Sequence, residues 1–279
     1  MKESEGFCDL HIHSNYSDSD ADLESIFKDA SQRNLCCIAV TDHDTVKAIP
    51  PAKNYSTAFN LELIEAIEIS AQHKDCEVHI LGYFIDSSYP ELLKELEYIR
   101  DLRRERLSFM VEKLNELGLE LDVELLFSKI GQNIPTRLHL ALELIENKKV
   151  SSLREAFRKY LSPGRPAYRS RFKHSVKEAI DLIKASGGLS FLAHPHMIAD
   201  QSWVEEFICL GIDGLEVIYP GMPPVKRSLY SNLASKYNLL KSGGSDAHGS
   251  YKAHTNIGQV KIPYSWIVEM KSRLAQAKT

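Results

Sequence analysis

The chain has 279 residues, 43% of them apolar and 26% charged, the composition of an ordinary globular protein. That length fits one large domain or two small ones, and it is enough for a single α/β barrel. A net charge of −4 marks no whole surface for nucleic acid, and no stretch of about 18 apolar residues suggests a membrane span. Five cysteines, an odd number without a CxxC pair, argue against a disulfide framework. Cys36 and Cys37 fall inside an apolar run and read as buried thiols, which favours a reducing compartment. The opening MKESEGF has no apolar leader, so the expectation is a cytoplasmic protein with no membrane contact and no obligate protein partner.

In chain order, Phe7–Leu10 reads as a strand and Leu23–Arg33 as a helix, with Leu23, Ile26, Phe27 and Ala30 at helical spacing. Leu35–Val40 is a continuous apolar strand, as expected where both faces are covered. Leu61–Ile67 and Val78–Phe84 read as two more strands. Residues 91–117 carry the spacing of a long amphipathic helix, and residues 123–160 hold further helical patterns without a convincing strand. The prolines and glycine of SPGRPAY, at 162–168, then break structure. Ser175 predicts an N-cap, Val176–Ala185 a helix and Gly187-Gly188 its stop. Leu189–Ala193, Gly214–Ile218 and Leu239–Lys241 complete the strands. Alternating β and α units predict an α/β protein with a parallel sheet closed, or nearly closed, into a barrel over residues 6–94 and 169–275. Residues 95–168 are expected to be a helical insertion that contributes to the substrate pocket.

Ligand-type residues fall where these strands end. His11 and His13 of DLHIHS share one side of an extended chain and can grip one metal ion. His43 of TDHD follows the second strand, Glu68 of EIS ends the third, His194 of AHP follows the strand after the insertion, and Asp246 and His248 of GSDAHG follow the last. His79 of HILGY is the exception: it lies within a strand, so its side chain must point into the barrel. In parallel α/β barrels the loops after the strands form the active-site face, so these groups should converge at one rim. A single loop histidine is ordinarily a surface or capping residue, and His73, His174, His196 and His254 are read that way. Glu68 sits among Ile64, Ala66, Ile67 and Ile69, where an unpaired carboxylate is costly and a metal is a sufficient partner. Asp18 of NYSDSD reads equally as an Asx turn or as a ligand.

Together DLHIHS, the Ser-Asp pair at 17–18, TDHDT, EIS, HILGYFID, PGRPAY, Gly187-Gly188, LAHP, DGLEV and GSDAHG resemble the blocks of the PHP (polymerase and histidinol phosphatase) superfamily over nearly the whole chain. The likeness is to the branch of nucleotide phosphatases and short-RNA 5′ exonucleases. It implies a distorted (β/α)7 TIM-like barrel with two or three divalent metal ions, manganese, iron or zinc. By that resemblance His11, His13, Glu68 and Asp246 form one metal site, Glu68, His79 and His194 a second, and Asp18, His43 and His248 a third. The branch's Arg-Pro-His block, which contacts substrate phosphate, reads Arg137-Leu138-His139 here. The proline is missing, but the functional side chains are kept. The residue after the Ser-Asp pair is Ser19 rather than glycine, and the branch's aromatic in the last block is Ala247.

Three divalent ions against Asp18, Glu68 and Asp246 leave a net charge near +3, suited to a phosphate dianion and a hydroxide. A water bridging ions about 3.5–4 Å apart is the expected nucleophile for in-line displacement. Arg137 is expected to clamp a terminal phosphate, with His139 beside it. Asp42 or Asp44 is expected to orient an imidazole or move a proton, and Asp42 and His43 are the catalytic candidates on that loop. Arg165 and Tyr168 are candidates to line the substrate pocket. Arg100, Arg103, Arg104 and Arg106 read as a solvated face of the long helix, with a path for an RNA backbone as the sharper alternative. The expected activity is hydrolysis of phosphate monoesters of nucleotides, such as nucleoside 3′,5′-bisphosphates, and of 5′-phosphorylated short RNA. The rivals are histidinol-phosphate phosphatase, a metal-dependent amidohydrolase and a non-catalytic metal-binding accessory module.

Overall fold

The computed structural model of the protein describes residues 6–74, 76–170, 174–252 and 254–277. The chain divides into two compact units, Met1–Leu93 with His174–Thr279, and Lys94–Lys173.

The first unit is built on one sheet of eight strands among the described residues: β1 Phe7–Ile12, β2 Leu35–Val40, β3 Glu62–His73, β4 Cys76–Tyr83, β5 Leu189–Leu192, β6 Gly214–Ile218, β7 Leu240–Gly243 and β8 Ile262–Pro263. Their order is β7-β6-β5-β4-β3-β2-β1-β8. The ends of this order meet. Asp246 N donates to His11 O at 2.7 Å and His13 N to Ala247 O at 2.9 Å, so the segment after β7 runs along the end of β1 and nearly closes a barrel. Gly244 permits that approach, because a Cβ there would lie 2.3 Å from His11 N.

The α/β barrel is as the sequence predicts, but two strands depart from a purely parallel pattern. β8 is antiparallel to β1, and β4 is antiparallel to both β3 and β5. β3 does not stop at Ile67; it runs on to His73 and pairs with β4 as a hairpin, Ser70 opposite His79. Because β4 runs against its neighbours, its first residues lie at the rim where the parallel strands end. That is why His79 is a rim residue although it lies inside a strand.

Helices α1 Leu23–Gln32 and α2 Ile49–Phe59 follow β1 and β2. Asp22 caps α1 by accepting from Ser25 N at 2.8 Å, and Leu23, Ile26, Phe27 and Ala30 are its buried face. Cys8, Leu10, Cys37 and Ala39 belong to the inner core with Tyr83 and Phe191, whereas Ile12, Ile38 and Val40 pack in a layer with α1 and α2. The change of side along β1 occurs where its register slips, between Asp9 and Ile12. A bulge of this kind re-aims side chains, here His11 and His13.

The second unit is helical among the described residues. It holds most of α3 Pro90–Glu116, then α4 Val123–Ile130, α5 Arg137–Glu146, α6 Leu153–Ala156 and a π-helical turn, Phe157–Leu161. Its core gathers Leu107, Met110, Leu114, Leu126, Leu140 and Leu144. The arginines of α3 depart from a solvated face. Arg103 and Arg106 are buried, Arg103 donating to Pro135 O at 3.0 Å and Arg106 to Arg169 O at 2.9 Å. Arg104 lies over the Phe127 ring, 4.0 Å from its centroid, and Arg100 donates to Gly131 O. These side chains join helices and loops and do not form a free cationic track.

The remaining helices belong to the first unit: α7 Val176–Ala185, α8 Trp203–Cys209, α9 Pro224–Lys236 and α10 Ser265–Ala277. No helix of the described residues is long and apolar enough to cross a membrane.

Candidate metal centre

The rim of the barrel collects a buried group of imidazoles and carboxylates. His11 Nε2 and His13 Nε2 lie 3.2 Å apart. Glu68 Oε2 is 3.4 Å from the first and 3.2 Å from the second, and Asp246 Oδ1 is 3.5 and 3.2 Å away. Bonds of about 2.0–2.1 Å to a tetrahedral ion would place neighbouring donor atoms about 3.4 Å apart. His11 Nε2, His13 Nε2 and Asp246 Oδ1 are therefore spaced as ligands of one ion are, and Glu68 Oε2 lies at a like distance from both imidazoles. Glu68 turns its other oxygen, Oε1, towards His79 Nδ1 at 3.1 Å and His194 Nε2 at 3.2 Å. Asp18 gathers a third set: His13 Nδ1 at 3.5 Å, His43 Nε2 at 3.6 Å and His248 Nε2 at 3.4 Å. His43 reaches two sets, because its Nδ1 is also 3.2 Å from Glu68 Oε2. All nine residues expected as ligands are thus brought together. His13 takes part in two sets, which its position in the sequence did not suggest.

The outer partners aim the rings. His11 Nδ1 donates to Glu216 Oε1 at 3.0 Å, which leaves the Nε2 lone pair facing Glu68 and Asp246. His79 Nε2 donates to Glu77 Oε1 at 3.0 Å, leaving Nδ1 for Glu68. His248 Nδ1 donates to Asp246 O at 2.9 Å, leaving Nε2 for Asp18. Glu216 also accepts from His194 N at 2.6 Å, so one buried carboxylate fixes the ends of β1 and β5 together. Within this cluster three buried ring nitrogens, Nδ1 of His13, His43 and His79, have no hydrogen-bond partner. Buried nitrogens left in this way, beside carboxylates, fit a divalent cation.

The electrostatics point the same way. Burial alone would lower the pKa of His11, yet Glu216, Glu68 and Asp246 hold it well above the usual value. Burial is likewise outweighed at His13, raised to about 9 beside Asp246 and Glu68, and at His79, raised to about 10 beside Glu68. His43 goes the other way: burial, helped by His13 and His79, pushes it down to about 3. Burial works against ionisation of Asp18, Glu68 and Asp246, but the surrounding imidazoles keep all three well below the usual carboxylate range. The cluster thus holds concentrated negative charge that demands positive charge, from protons or from ions.

The other expected residues fall in different surroundings. Asp42 has both oxygens occupied: Oδ1 accepts from Ser14 N at 2.8 Å and Ser17 Oγ at 2.5 Å, and Oδ2 from Ser14 Oγ at 2.5 Å. It ties down the loop that carries Asp18. Asp44 accepts from Ser70 N at 2.7 Å and braces β3. Arg137 and His139 open α5 in the second unit. His139 Nδ1 accepts from Thr136 N at 3.2 Å in a reciprocal cap, and the Arg137 guanidinium lies 5.8 Å from the Tyr168 ring centroid. Arg165 is exposed on the turn whose backbone closes from Arg165 N to Ser162 O.

Sequence reasoning passed over Asp9, Glu216, Tyr219 and Lys252. Asp9 anchors the loops after β7, accepting from Ser245 N at 2.8 Å and Gly258 N at 2.7 Å, and burial pushes its pKa up to about 6. Tyr219 and Lys252 both reach Asp246. An acid inside the apolar run DGLEV was a usable signal for Glu216. Nothing local marked Lys252.

Comparison with known proteins agrees with this geometry. The PHP domain family profile matches residues 9–190. The 5′-3′ exoribonuclease Rnm of Escherichia coli K12 is 31% identical over 247 residues, covering 86% of this chain and 84% of its own. The 3′,5′-nucleoside bisphosphate phosphatase of Chromobacterium violaceum is 28% identical over 260 residues, covering 91% of each. A crystal structure from Bifidobacterium adolescentis, named as a candidate metal-dependent phosphoesterase, superposes with a TM-score of 0.87 at 26% identity, covering 95% of this chain and 96% of that one. A structure from C. violaceum named as an amidohydrolase, solved with sulfate and without metal, gives 0.84 at 26% identity, covering 98% and 99%.

Proposed function

The chain belongs to the PHP family of phosphoesterases, and from that premise we propose that it hydrolyses terminal phosphate esters of nucleotides: nucleoside 3′,5′-bisphosphates and 5′-phosphorylated short RNA. The observation that carries the reading is the buried cluster in which Glu68 faces five histidines at 3.1–3.4 Å, while Asp246 and Asp18 each gather further imidazoles beside it. His11, His13, Glu68 and Asp246 would hold one divalent ion, Glu68, His79 and His194 a second, and Asp18, His43 and His248 a third. Nitrogen and oxygen donors of this kind suit manganese, iron or zinc. Ions bound there supply positive charge for the phosphoryl oxygens and make a nearby water more acidic.

The chain's own residues do the rest. Glu216, Glu77 and the Asp246 carbonyl fix which ring nitrogen each histidine presents. Asp42 acts through the Ser14–Asp18 loop, holding Asp18 in place. Arg137, at the first turn of α5, offers a planar fork of donors to a terminal phosphate, and the helix N-terminus adds favourable charge. His139, whose Nδ1 is committed to the helix cap, is assigned to the same phosphate as Arg137. Arg165 and Tyr168 are assigned to the nucleoside side.

A substrate panel with Mn2+ tests the reading: adenosine 3′,5′-bisphosphate, a 5′-phosphorylated trinucleotide, AMP and histidinol phosphate. The first two should show the highest kcat/KM. A preference for histidinol phosphate, or no phosphate release from any of them, overturns it.

A further inference from the structure

Asp246 uses its two carboxylate oxygens differently. Oδ1 faces His11, His13 and His248 at 3.5, 3.2 and 3.4 Å. Oδ2 accepts from the Tyr219 hydroxyl at 2.6 Å and is paired with the Lys252 ammonium. Lys252 also donates to the Tyr219 oxygen at 2.9 Å, so the three groups close a triangle.

The triangle is held from several sides. Tyr219 directly follows β6 and is buried; its ring meets His194 edge-on at 5.9 Å between centroids and lies 4.8 Å from His196. Lys252 ends the short turn Gly249–Lys252. Asp20 anchors that turn by accepting from Ser250 N at 2.7 Å, and Thr255 Oγ1 donates to Asp246 O at 3.2 Å.

We propose that Tyr219 and Lys252 are positioning residues: they occupy Asp246 Oδ2 and so commit this carboxylate to the ion site through Oδ1 alone. The proposal rests on the cluster being an ion site. An oxygen that already takes a hydroxyl donor and an ammonium donor must lose both before it can turn to a metal. The clamp therefore fixes the direction of Oδ1 and keeps a free-swinging carboxylate from capping the ion on two sides. A coordination position stays open for water or substrate, as catalytic metal sites require.

The test uses Co2+ as the probe, titrated into the metal-stripped full-length protein, with affinity read by calorimetry and coordination by visible absorption. Tyr219→Phe should weaken Co2+ binding about 10-fold and Tyr219→Phe with Lys252→Met about 100-fold, the range for lost partners of a metal ligand. The absorption per ion should drop in both, as the freed Oδ2 raises the coordination number. Lys252→Arg, which keeps a cationic donor, should stay close to the parent. Melting of the metal-free variants is recorded alongside, since stripping donors from a buried carboxylate also costs stability; the change of absorption spectrum, which a loss of stability alone does not produce, separates positioning from a folding defect. Unchanged affinity and spectrum in the double variant overturn the clamp. Asp246→Asn is the control: if it also binds Co2+ as the parent does, the ion-site reading falls and takes the clamp with it.

Discussion

The two units bury charge in opposite ways. In the barrel unit, carboxylates and imidazoles converge from six strands or the loops after them until Glu68 alone faces His11, His13, His43, His79 and His194. In the helical unit, buried cations are separated and each is answered by backbone oxygen: Arg103 by Pro135 and Arg106 by Arg169. Each carbonyl gives its guanidinium an acceptor without calling for a ligand. Mutually facing carboxylates and neutral imidazoles leave a surplus of negative charge that only added positive charge removes. The same physical problem is solved structurally in one unit and left for ions in the other.

The largest effect that would break this contrast is expected at Glu68. Glu68→Gln removes the charge shared by two ligand sets, and phosphate release should fall by more than about 100-fold with loss of bound Mn2+, beyond the range for outer partners of metal ligands. Elemental analysis of the purified variant checks it; full metal content would contradict the bridging role. Arg137→Ala, in the other unit, should leave metal content intact and raise KM more than it lowers kcat, about 10-fold or more for loss of a charge-assisted fork. A kinetic comparison on adenosine 3′,5′-bisphosphate decides.

Arg103→Met should destabilise the helical unit by about 2–3 kcal/mol, since the Pro135 carbonyl loses a buried charged donor. Urea melts would read the loss, and unchanged metal content would keep the two units' roles apart. In the metal-stripped protein a pH effect should appear in the barrel unit. His13 and His79 have folded pKa values of about 9 and about 10, against 6.5 for the free side chain. The stability they lend is complete below pH 6.5 and is lost as pH rises through 9 to 10. His43, pushed down to about 3, acts in the opposite sense and in a separate window below pH 6.5. The melting temperature with chelator should therefore fall from pH 7 to 10; a flat or rising profile contradicts this electrostatic account. The smallest effects are the helix caps. Asp22→Ala in one unit and Asp122→Ala in the other should each cost about 1 kcal/mol, because both carboxylates accept from first-turn N–H groups.

The sequence made much of the barrel legible, because apolar runs end in ligand-type residues. β2, β6 and α7 lie where periodicity and capping put them. Other elements were hidden for physical reasons. α2 and α9 were not among the expected elements; their prolines sit at the first helical turn, where no N–H is needed, and their helical spacing is weak. The reversed direction of β4 leaves no local trace, so His79 looked like an exception until pairing with β3 and β5 explained it. Burial of Arg103 and Arg106 was equally invisible, since α3 interleaves them with acids as a solvated face does. Tyr219 and Lys252 reach Asp246 from 27 and 6 residues away, contacts that the fold alone creates.

The most direct test is an anomalous diffraction map from crystals soaked in Mn2+. The account predicts strong peaks within ligand distance of Glu68, one of them enclosed by His11 Nε2, His13 Nε2 and Asp246 Oδ1. A map without a peak beside Glu68 would contradict it.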